Sequence, residues 1–265
     1  MNQCRQYHQP GVLRVLQTRD ETKAFYNKIA KVYDVLSEHS EAPVRLAGLK
    51  MLDIQPGWHV LEIGFGTGHS LIELARSVGP SGKVFGIDLS EKMVEISRKR
   101  AEDEGLKGRI ELSCSDGLHL PYEPGSLDAI FMSFTLELFD TPEIPLVLAE
   151  CKRVLKPGGR IGIVGMSRVQ PEGLVMEIFE WTHRHFPNYL DCRPILVRQA
   201  LEDSGFQIRD SRIMKMWIGV EVVCGIKSTD GPNQTDNELD RQRNDNFISN
   251  NRREKTVSQK IDSLS

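Results

Sequence analysis

The chain has 265 residues, of which 39% are hydrophobic and 27% are charged, proportions that are ordinary for a globular protein with one main domain. Its formal net charge is −3, whereas proteins that bind nucleic acids normally carry a strongly basic face. DNA and large RNA are therefore disfavoured as substrates or partners.

Strand and helix patterns alternate from residue 59 to residue 167. Short β-rich apolar runs predict strands at 59–65, 83–88, 110–116, 127–134 and 160–167, with helices between them at 70–78, 90–105 and 142–155. In the first of these helices Leu71, Leu74 and Val78 fall on one face, and Pro145 fits the first turn of the third. Strands separated by helices predict right-handed crossovers and a mostly parallel sheet covered on both faces.

The chain after residue 167 has a different pattern. Helices are predicted at 172–185 and 194–204, and they are followed by β-rich runs at 206–214 and 217–226. Almost no linker joins these last two runs, and a parallel crossover would need about a dozen residues, so the two must form an antiparallel hairpin. A parallel core that ends in such a hairpin is unusual for a dinucleotide-binding fold.

The two ends of the chain differ in composition from its centre. Residues 228–265 are rich in Asn, Gln, Asp, Arg and Ser, and such a segment buries too little surface to offset its ordering entropy. We predict a loosely ordered N-terminus at 1–20, one domain at 21–227 and a disordered polar tail at 228–265. A binding role for the tail remains open.

The cysteines and the hydropathy pattern favour a cytoplasmic protein. None of the five scattered cysteines forms a C-x-x-C pair, which predicts reduced thiols (Cys4, Cys114, Cys151, Cys192 and Cys224). No run of residues approaches the apolar length that spans a membrane. Residues 1–20 lack the basic-then-apolar layout of a secretory signal.

A glycine-rich turn follows the first predicted strand. Gly64, Gly66 and Gly68 stand where a Cβ would keep a ligand away from the backbone and hinder a tight turn into the next helix. The spacing is G-x-G-x-G with His69 next, whereas the dinucleotide fingerprint is G-x-G-x-x-G, so binding of a pyrophosphate is disfavoured. A purely structural turn remains an alternative.

Acidic residues end the second and third predicted strands. Asp88 can accept both ribose hydroxyls of an adenosine that lies across the carboxyl edge of the sheet. Asp116, in Ser115-Asp116-Gly117, can accept the exocyclic amine of adenine, although a turn aspartate is the simpler alternative. Three such features at three successive strand ends are more specific together than any one alone.

These motifs resemble those of the class I S-adenosylmethionine (SAM)-dependent methyltransferases. The runs 60–68, 86–90, 115–117 and 153–159 are similar to motif I, motif II, the adenine-binding acidic loop and the post-motif turn of that superfamily. Residues 25–34 resemble the N-terminal segment of its ubiquinone/menaquinone C-methyltransferase group, often called UbiE-like. The resemblance covers residues 22–227 and implies SAM as cofactor. It also implies a Rossmann-like, seven-stranded, mostly parallel sheet with an antiparallel last strand and helices on both faces.

The resemblance further implies which residues hold the cofactor. Gly64, Gly66 and Gly68 would let the chain pass the amino-acid moiety of SAM. Glu62 would either hold this loop or meet the ammonium of the cofactor through water. Asp88 would bind the ribose.

Other residues are assigned to the adenine and to the methionine portion of SAM. Leu89 and Met93 would flank the adenine, and Asp116 with Gly117 would meet its N6 edge. Ser133, at the end of the fourth strand, would lie under the methionine portion.

An N-terminal helix would close over the cofactor with Tyr26 and Tyr33. Ordinary helix packing remains an alternative for both tyrosines and for Met93.

The sequence identifies no catalytic residue. The sulfonium of SAM already activates the methyl group, so the protein chiefly supplies proximity, alignment and a dry site, and a general base is needed only if the acceptor loses a proton. Candidates for contacts with the acceptor are His183, His185, Tyr189 and Asp191 after the fifth strand, and His119, although a surface or packing role is open for each. Because His183 and His185 diverge on a helix, a shared metal is disfavoured.

The acceptor is expected to be a small apolar molecule such as a quinone. The segment 133–137 lacks the Asn/Asp-Pro-Pro-Tyr sequence of enzymes that methylate amino groups of nucleobases or glutamine. Apolar side chains that could line its pocket or equally belong to the core are Phe134, Leu136, Leu138, Phe139, Met166 and Phe179. The segment 164–167 reads Val-Gly-Met-Ser, whereas the quinone group usually has a sequence resembling Leu-Glu-Phe-Ser.

Two other classes of function remain open at this point. One is an NAD(P)-dependent oxidoreductase, in which Asp88 would bind the ribose of the dinucleotide. The other is a protein that binds SAM without catalysis and acts as a partner or regulator.

Overall fold

The computed structural model describes residues 12, 14–15, 17–169, 193–216 and 218–229, and for residues 31–39 only the helical backbone. The helix predicted at 172–185 and nearly all of the predicted tail lie outside these residues. The proposed domain limits, 21 and 227, therefore stay a prediction.

The described elements follow the predicted alternation. The strands are β1 His59–Ile63, β2 Lys83–Asp88, β3 Ile110–Cys114, β4 Leu127–Ser133, β5 Leu155–Met166, β6 Phe206–Lys215 and β7 Gly219–Lys227, and the helices are α1 Arg19–Leu52, α2 His69–Val78, α3 Glu91–Asp103, α4 Ile144–Val154 and α5 Val197–Asp203. Pro145 lies in the first turn of α4, as predicted. β5 begins earlier than predicted because Leu155 pairs with Leu127 at the start of β4.

All seven strands form one sheet in the order β3-β2-β1-β4-β5-β7-β6. Strands β1 to β5 are parallel, and β7 is antiparallel to both β5 and β6. The predicted antiparallel closing hairpin is confirmed, and its second strand lies between β5 and β6 rather than at the edge. The chain leaves β1 towards β2 on one side and returns to β4 on the other, so a topological switch point lies beside β1.

Two apolar cores cover the two faces of the sheet. Successive residues of β1 point to opposite faces: Val60 packs in a core with residues of α1, α2 and α3, and Leu61 packs in a core with residues of α4 and α5. On the first face Gly48 of α1 lies so close to the sheet that an added Cβ would come within 2.5 Å of Val164. The predicted helices on both faces are confirmed.

Helix α1 is stabilised at both of its ends. The hydroxyl of Thr18 accepts the N–H of Glu21, and the N–H of Thr18 donates to the carboxylate of Glu21, which forms a capping box. At the other end Asp53 adopts a left-handed conformation and pairs with Arg160 and Arg209. No helix within the described ranges is long and apolar enough to cross a bilayer.

Candidate active site

The glycine turn after β1 has a backbone that only glycine adopts without strain. Gly64, Gly66 and Gly68 have φ angles of 68°, 53° and 88°. An added Cβ at Gly64 would come within 2.4 Å of Thr135, and one at Gly68 within 2.6 Å of Ser97. An added Cβ at Gly66 would meet nothing within 4 Å. Gly66 therefore borders open space into which a side chain would project.

Asp88 holds this turn from the end of β2. Its Oδ2 accepts the N–H of Gly66 at 2.9 Å, and its Oδ1 accepts the N–H of Ser90 at 2.9 Å. Ser90 in turn caps α3, because its hydroxyl accepts the N–H of Met93 at 3.1 Å. Burial of the carboxyl raises the pKa of Asp88 to about 6, although the backbone hydrogen bonds oppose this shift.

A cavity of about 710 Å³, its open mouth included, lies at the carboxyl ends of β1, β2 and β4. Its place beside the switch point is where open α/β sheets bind ligands. Eight of the residues expected to hold the cofactor line it: Tyr26, Gly64, Gly66, Asp88, Leu89, Met93, Gly117 and Ser133. The other lining residues are Arg19, Thr22, Ile63, Ile87, Ser90, Ser115, Phe134, Thr135, Leu138 and Phe139.

The remaining expected residues are not part of this lining. Glu62 is 1% exposed and lies beneath the turn, where it hydrogen-bonds Ser70 of α2, and burial raises its pKa to about 8. The expected role of Glu62, which is to hold the loop or to meet the ammonium of the cofactor, stays a prediction. Gly68 is the N-cap of α2. The side chain of Tyr33 lies outside the described part of the chain, so its role stays a prediction.

Asp116 lies beside the cavity and already has two partners. Its Oδ1 accepts the N–H of Leu118 at 3.0 Å, and its Oδ2 is 3.2 Å from Nε of Arg19. The neighbouring Gly117 lines the cavity, and a Cβ there would come within 3.0 Å of Phe139 and 3.1 Å of Ile63. The expected contact of Asp116 with adenine stays a prediction, although the carboxylate keeps lone pairs for a further donor.

The structure adds residues that the motifs did not indicate. Arg19 and Thr22 reach the cavity from α1, and the capping box at Thr18 is the sequence signal that could have placed the start of this helix. Phe134, which was already a candidate for the acceptor pocket, lines the cavity with a φ angle of 51° that the sequence did not indicate, and its N–H donates to the carbonyl of Val164 at 2.7 Å. A positive φ in a bulky residue is an outlier that is often found at functional sites.

The residues considered for the acceptor are only partly brought together. Phe134, Leu138 and Phe139 line the cavity, whereas Leu136 and Met166 belong to the two apolar cores and His119 is not in the lining. The other candidates lie outside the described ranges: Phe179, His183, His185, Tyr189 and Asp191. In the described chain no group of His, Cys, Asp and Glu residues could hold a metal ion.

The cavity wall fits the chemical groups of SAM. Gly66 leaves room for a ligand beside the backbone, and the carboxylate of Asp88 offers acceptors for hydroxyl groups. The hydroxyl of Ser133 is buried at the end of β4 without a hydrogen-bond partner in the described structure. A buried polar atom of this kind calls for a partner, and a ligand at this wall could supply it.

Comparison with known proteins points to the same chemistry. Residues 60–159 match a sequence family described as a methyltransferase domain. The chain is 34% identical over 169 residues to a demethylmenaquinone methyltransferase of Lactobacillus johnsonii. The aligned region covers 62% of this chain and 68% of that protein. It is 36% identical over 140 residues to a nocamycin O-methyltransferase of Saccharothrix syringae, covering 53% and 49% of the two chains.

Solved structures share the fold. A SAM-dependent methyltransferase from Aquifex aeolicus superposes with a TM-score of 0.56 at 28% identity, covering 76% of this chain and 98% of that one. The [4+2]-cyclase SpnF superposes with a TM-score of 0.69 at 17% identity, covering 84% and 100%. At that identity the second likeness concerns the fold alone.

The sheet, the cavity at its switch point and these relatives define the chain as a class I SAM-dependent methyltransferase. Within that class it belongs to the UbiE-like family, the family of the Lactobacillus enzyme. The chain spans about two thirds of the length of that enzyme and about half of the length of the nocamycin enzyme.

Proposed function

We propose that this protein transfers the methyl group of SAM to a small apolar acceptor of the quinol or phenol type, on carbon or oxygen. The observation that carries the proposal is a single cavity with two kinds of wall. Gly66, Asp88 and Ser133 contribute polar groups to its lining, and Phe134 and Leu138 contribute apolar surface. The relative named as a demethylmenaquinone methyltransferase supports a quinone-type acceptor, and the one named as a nocamycin O-methyltransferase supports transfer to oxygen.

In this proposal the polar wall holds the cofactor. Asp88 accepts hydrogen bonds from the ribose hydroxyls, the turn at Gly64 and Gly66 passes the amino-acid moiety, and Ser133 lies under the methionine portion. Leu89 and Met93 flank the adenine. When bound, SAM supplies a methyl group that its sulfonium has already activated for displacement.

The chain contributes alignment and exclusion of water rather than a strong acid or base. Tyr26 and Thr22 of α1 stand over the cavity, and Phe134 is held against the end of β5 by its hydrogen bond to Val164. Fixing two reactants in line supplies much of the lowering of the barrier, and a dry site prevents side reactions. Methylation at a hydroxyl or at a ring C–H replaces one hydrogen of the acceptor, which leaves as a proton to the solvent, and S-adenosylhomocysteine is the other product.

We infer that the catalytic domain is 21–227 and that the protein is cytoplasmic. The described elements run from Arg19 to Lys227, and Cys114, Cys151 and Cys224 are free thiols in the structure, which supports a reducing compartment. The identity of the acceptor decides whether the protein also contacts a membrane surface. The oligomeric state is open.

The cofactor assignment is tested by titration calorimetry of the full chain with S-adenosylhomocysteine, and with NADH in a parallel titration. We expect binding of the first ligand and none of the second. Heat from NADH alone would support the oxidoreductase alternative, and no heat from S-adenosylhomocysteine at near-millimolar concentration would refute the proposal.

The acceptor is tested by incubating the protein with SAM that carries a deuterated methyl group, first with a panel of naphthoquinols and phenols and then with cell extract. We expect an apolar aromatic product that carries three deuterium atoms and is correspondingly heavier than the product formed from unlabelled SAM. Transfer only to polar amines would overturn the acceptor class. If SAM binds but its methyl group is transferred neither to the panel compounds nor to any component of the extract, the non-catalytic alternative would be favoured.

A further inference from the structure

Arg19 forms part of the cavity wall, although no sequence motif indicated it. It is the first residue of α1, and its side chain is 28% exposed. Gly117, Phe139 and Leu89 line the cavity as well. Phe139 closely approaches Gly117, which follows Asp116. Arg19 therefore stands at the end of the cavity that the proposed function assigns to adenine.

One guanidinium joins three parts of this end of the cavity. Its Nε is 3.2 Å from Oδ2 of Asp116, which follows β3, and its Nη2 donates to Oε2 of Glu143 at 2.7 Å, just before α4. The guanidinium carbon also lies 4.6 Å from the centroid of the Phe139 ring. Arginine suits this arrangement because its planar fork can serve two carboxylates while its face stacks on an aromatic ring.

The same contacts limit the orientation of Asp116. The N–H of Leu118 donates to Oδ1 at 3.0 Å while Arg19 pairs with Oδ2. The contact with Leu118 is a hydrogen bond, which rotation of the carboxylate would break, whereas the contact with Arg19 is an ion pair, since Nε of Arg19 makes no hydrogen bond in the described structure. An ionised carboxylate has about four lone-pair sites, so it can still accept a bond from a ligand.

We propose that Arg19 is a cofactor-positioning residue, which holds the carboxylate of Asp116 beside the cavity, between the lining residues Ser115 and Gly117, so that it accepts a hydrogen bond from the exocyclic amine of a purine. The inference rests on the proposed function, because it assumes a SAM-type ligand. It makes α1 a determinant of purine selectivity, since a 6-oxo purine presents an acceptor where adenine presents a donor. An acceptor that faces a fixed carboxylate loses the hydrogen bond and is repelled.

A purely structural role for Arg19 makes a different prediction, and the chain offers a matched control. Arg14 binds Asp140 through Nε–Oδ1 and Nε–Oδ2 contacts of 2.7 and 2.9 Å, and it is not part of the cavity lining. Both arginines attach the N-terminal segment to the region between β4 and α4. If attachment alone matters, removing either arginine should have the same effect on ligand binding.

The experiment compares the dissociation constants of S-adenosylhomocysteine and S-inosylhomocysteine, which differ at position 6 of the purine. Calorimetry on the full chain would cover the wild type and the R19Q, R19K, R14Q and D116N variants. We expect the wild type to prefer the adenosyl ligand by about tenfold or more. R19Q, R19K and D116N should lower this ratio to about threefold or less, whereas R14Q should keep it.

The outcomes separate the two proposals. A wild-type ratio retained in R19Q, or a ratio lowered equally in R14Q and R19Q, would overturn the role of Arg19 and leave the methyltransferase proposal intact. A wild type that binds neither ligand would overturn both. R19K keeps the positive charge at the start of α1, so it remains informative if R19Q does not fold.

Discussion

At the scale of single residues, Asp88 connects the glycine turn to α3. One carboxylate oxygen holds Gly66 and the other holds Ser90, each at 2.9 Å. The loop is thus fixed in shape by the side chain that we propose binds the ribose. Such preorganisation improves affinity because less ordering is left to occur on binding.

Replacing Asp88 should therefore weaken cofactor binding. For Asp88→Ala we expect the dissociation constant of S-adenosylhomocysteine to rise about 30-fold, equivalent to about 2 kcal/mol for a lost charge-assisted acceptor. Asp128→Asn is the matched control, because Asp128 lies at the start of β4 and binds His59 and Lys156. Calorimetry gives both values, and an unchanged constant in the Ala variant would remove Asp88 from the site.

Binding of the cofactor should also depend on pH through Asp88. The pKa of this carboxyl in the free protein is raised to about 6 by burial. Hydroxyl donors bind the ionised form, so affinity should be constant above this pH and fall by up to about tenfold per pH unit below it. Calorimetry between pH 5 and 7 would measure this. A profile that stays the same in Asp88→Asn would assign the titration to another group.

At the scale of elements, the sheet itself caps a helix. Leu196, at the N-cap of α5, offers no side-chain hydrogen bond. Instead, Glu221 of β7 accepts the N–H groups of Val197 and Arg198 at 3.0 and 3.3 Å. A carboxylate at a helix N-terminus satisfies free N–H groups and interacts favourably with the helix dipole. α5 is thereby fixed to the strand between β5 and β6.

Removing this cap should destabilise the fold. Glu221 is 2% exposed, so Glu221→Ala should lower the free energy of unfolding by about 2 kcal/mol, the range for hydrogen bonds to a charged group. Glu202→Ala serves as the control, because Glu202 forms only an exposed i,i+4 ion pair with Arg198. For this variant we expect the free energy of unfolding to change by no more than about 0.5 kcal/mol. Urea titration measures both changes. Equal effects would contradict the capping role.

At the scale of the whole molecule, buried carboxyl groups set the pH dependence of stability near neutrality. Burial raises the pKa of Glu62 to about 8 and that of Glu137 to about 7. Glu137 is fully buried and accepts the N–H of Met166 at 3.1 Å, which joins the segment after β4 to the end of β5. Both groups bind protons more tightly in the folded state than in the unfolded chain.

Stability should therefore fall as the pH rises from about 5 to 8. In that range the folded state holds more protons than the unfolded state, and each such group contributes a slope of up to about 1.4 kcal/mol per pH unit. Urea titrations of Glu137→Gln should show a shallower decline between pH 5 and 7 than the wild type. The exposed Glu73→Gln is the control, and an unchanged slope in Glu137→Gln would show that Glu137 does not titrate as described.

The sequence by itself determined the order of the elements and the residue types of the turns that line the cavity. Apolar runs and the apolar faces of helices are visible within short stretches of sequence. They therefore predicted the strands from β1 to β5 and the helices between them. The short link between the predicted runs 206–214 and 217–226 required an antiparallel pair. Gly66 and Asp88 could be found because a tight turn and a strand end constrain the residue types there.

Only the tertiary structure decided which distant side chains meet. The short connection between Lys215 and Gly219 makes a hairpin of β6 and β7, but it does not decide which of these two strands lies beside β5. In the structure β7 pairs with β5, and β6 is at the edge of the sheet. Arg19 reaches Asp116 across nearly a hundred residues of chain, and Glu137 lies buried at the sheet instead of facing solvent. No local pattern encodes these contacts, because they depend on how α1 and the loops pack over the carboxyl edge of the sheet.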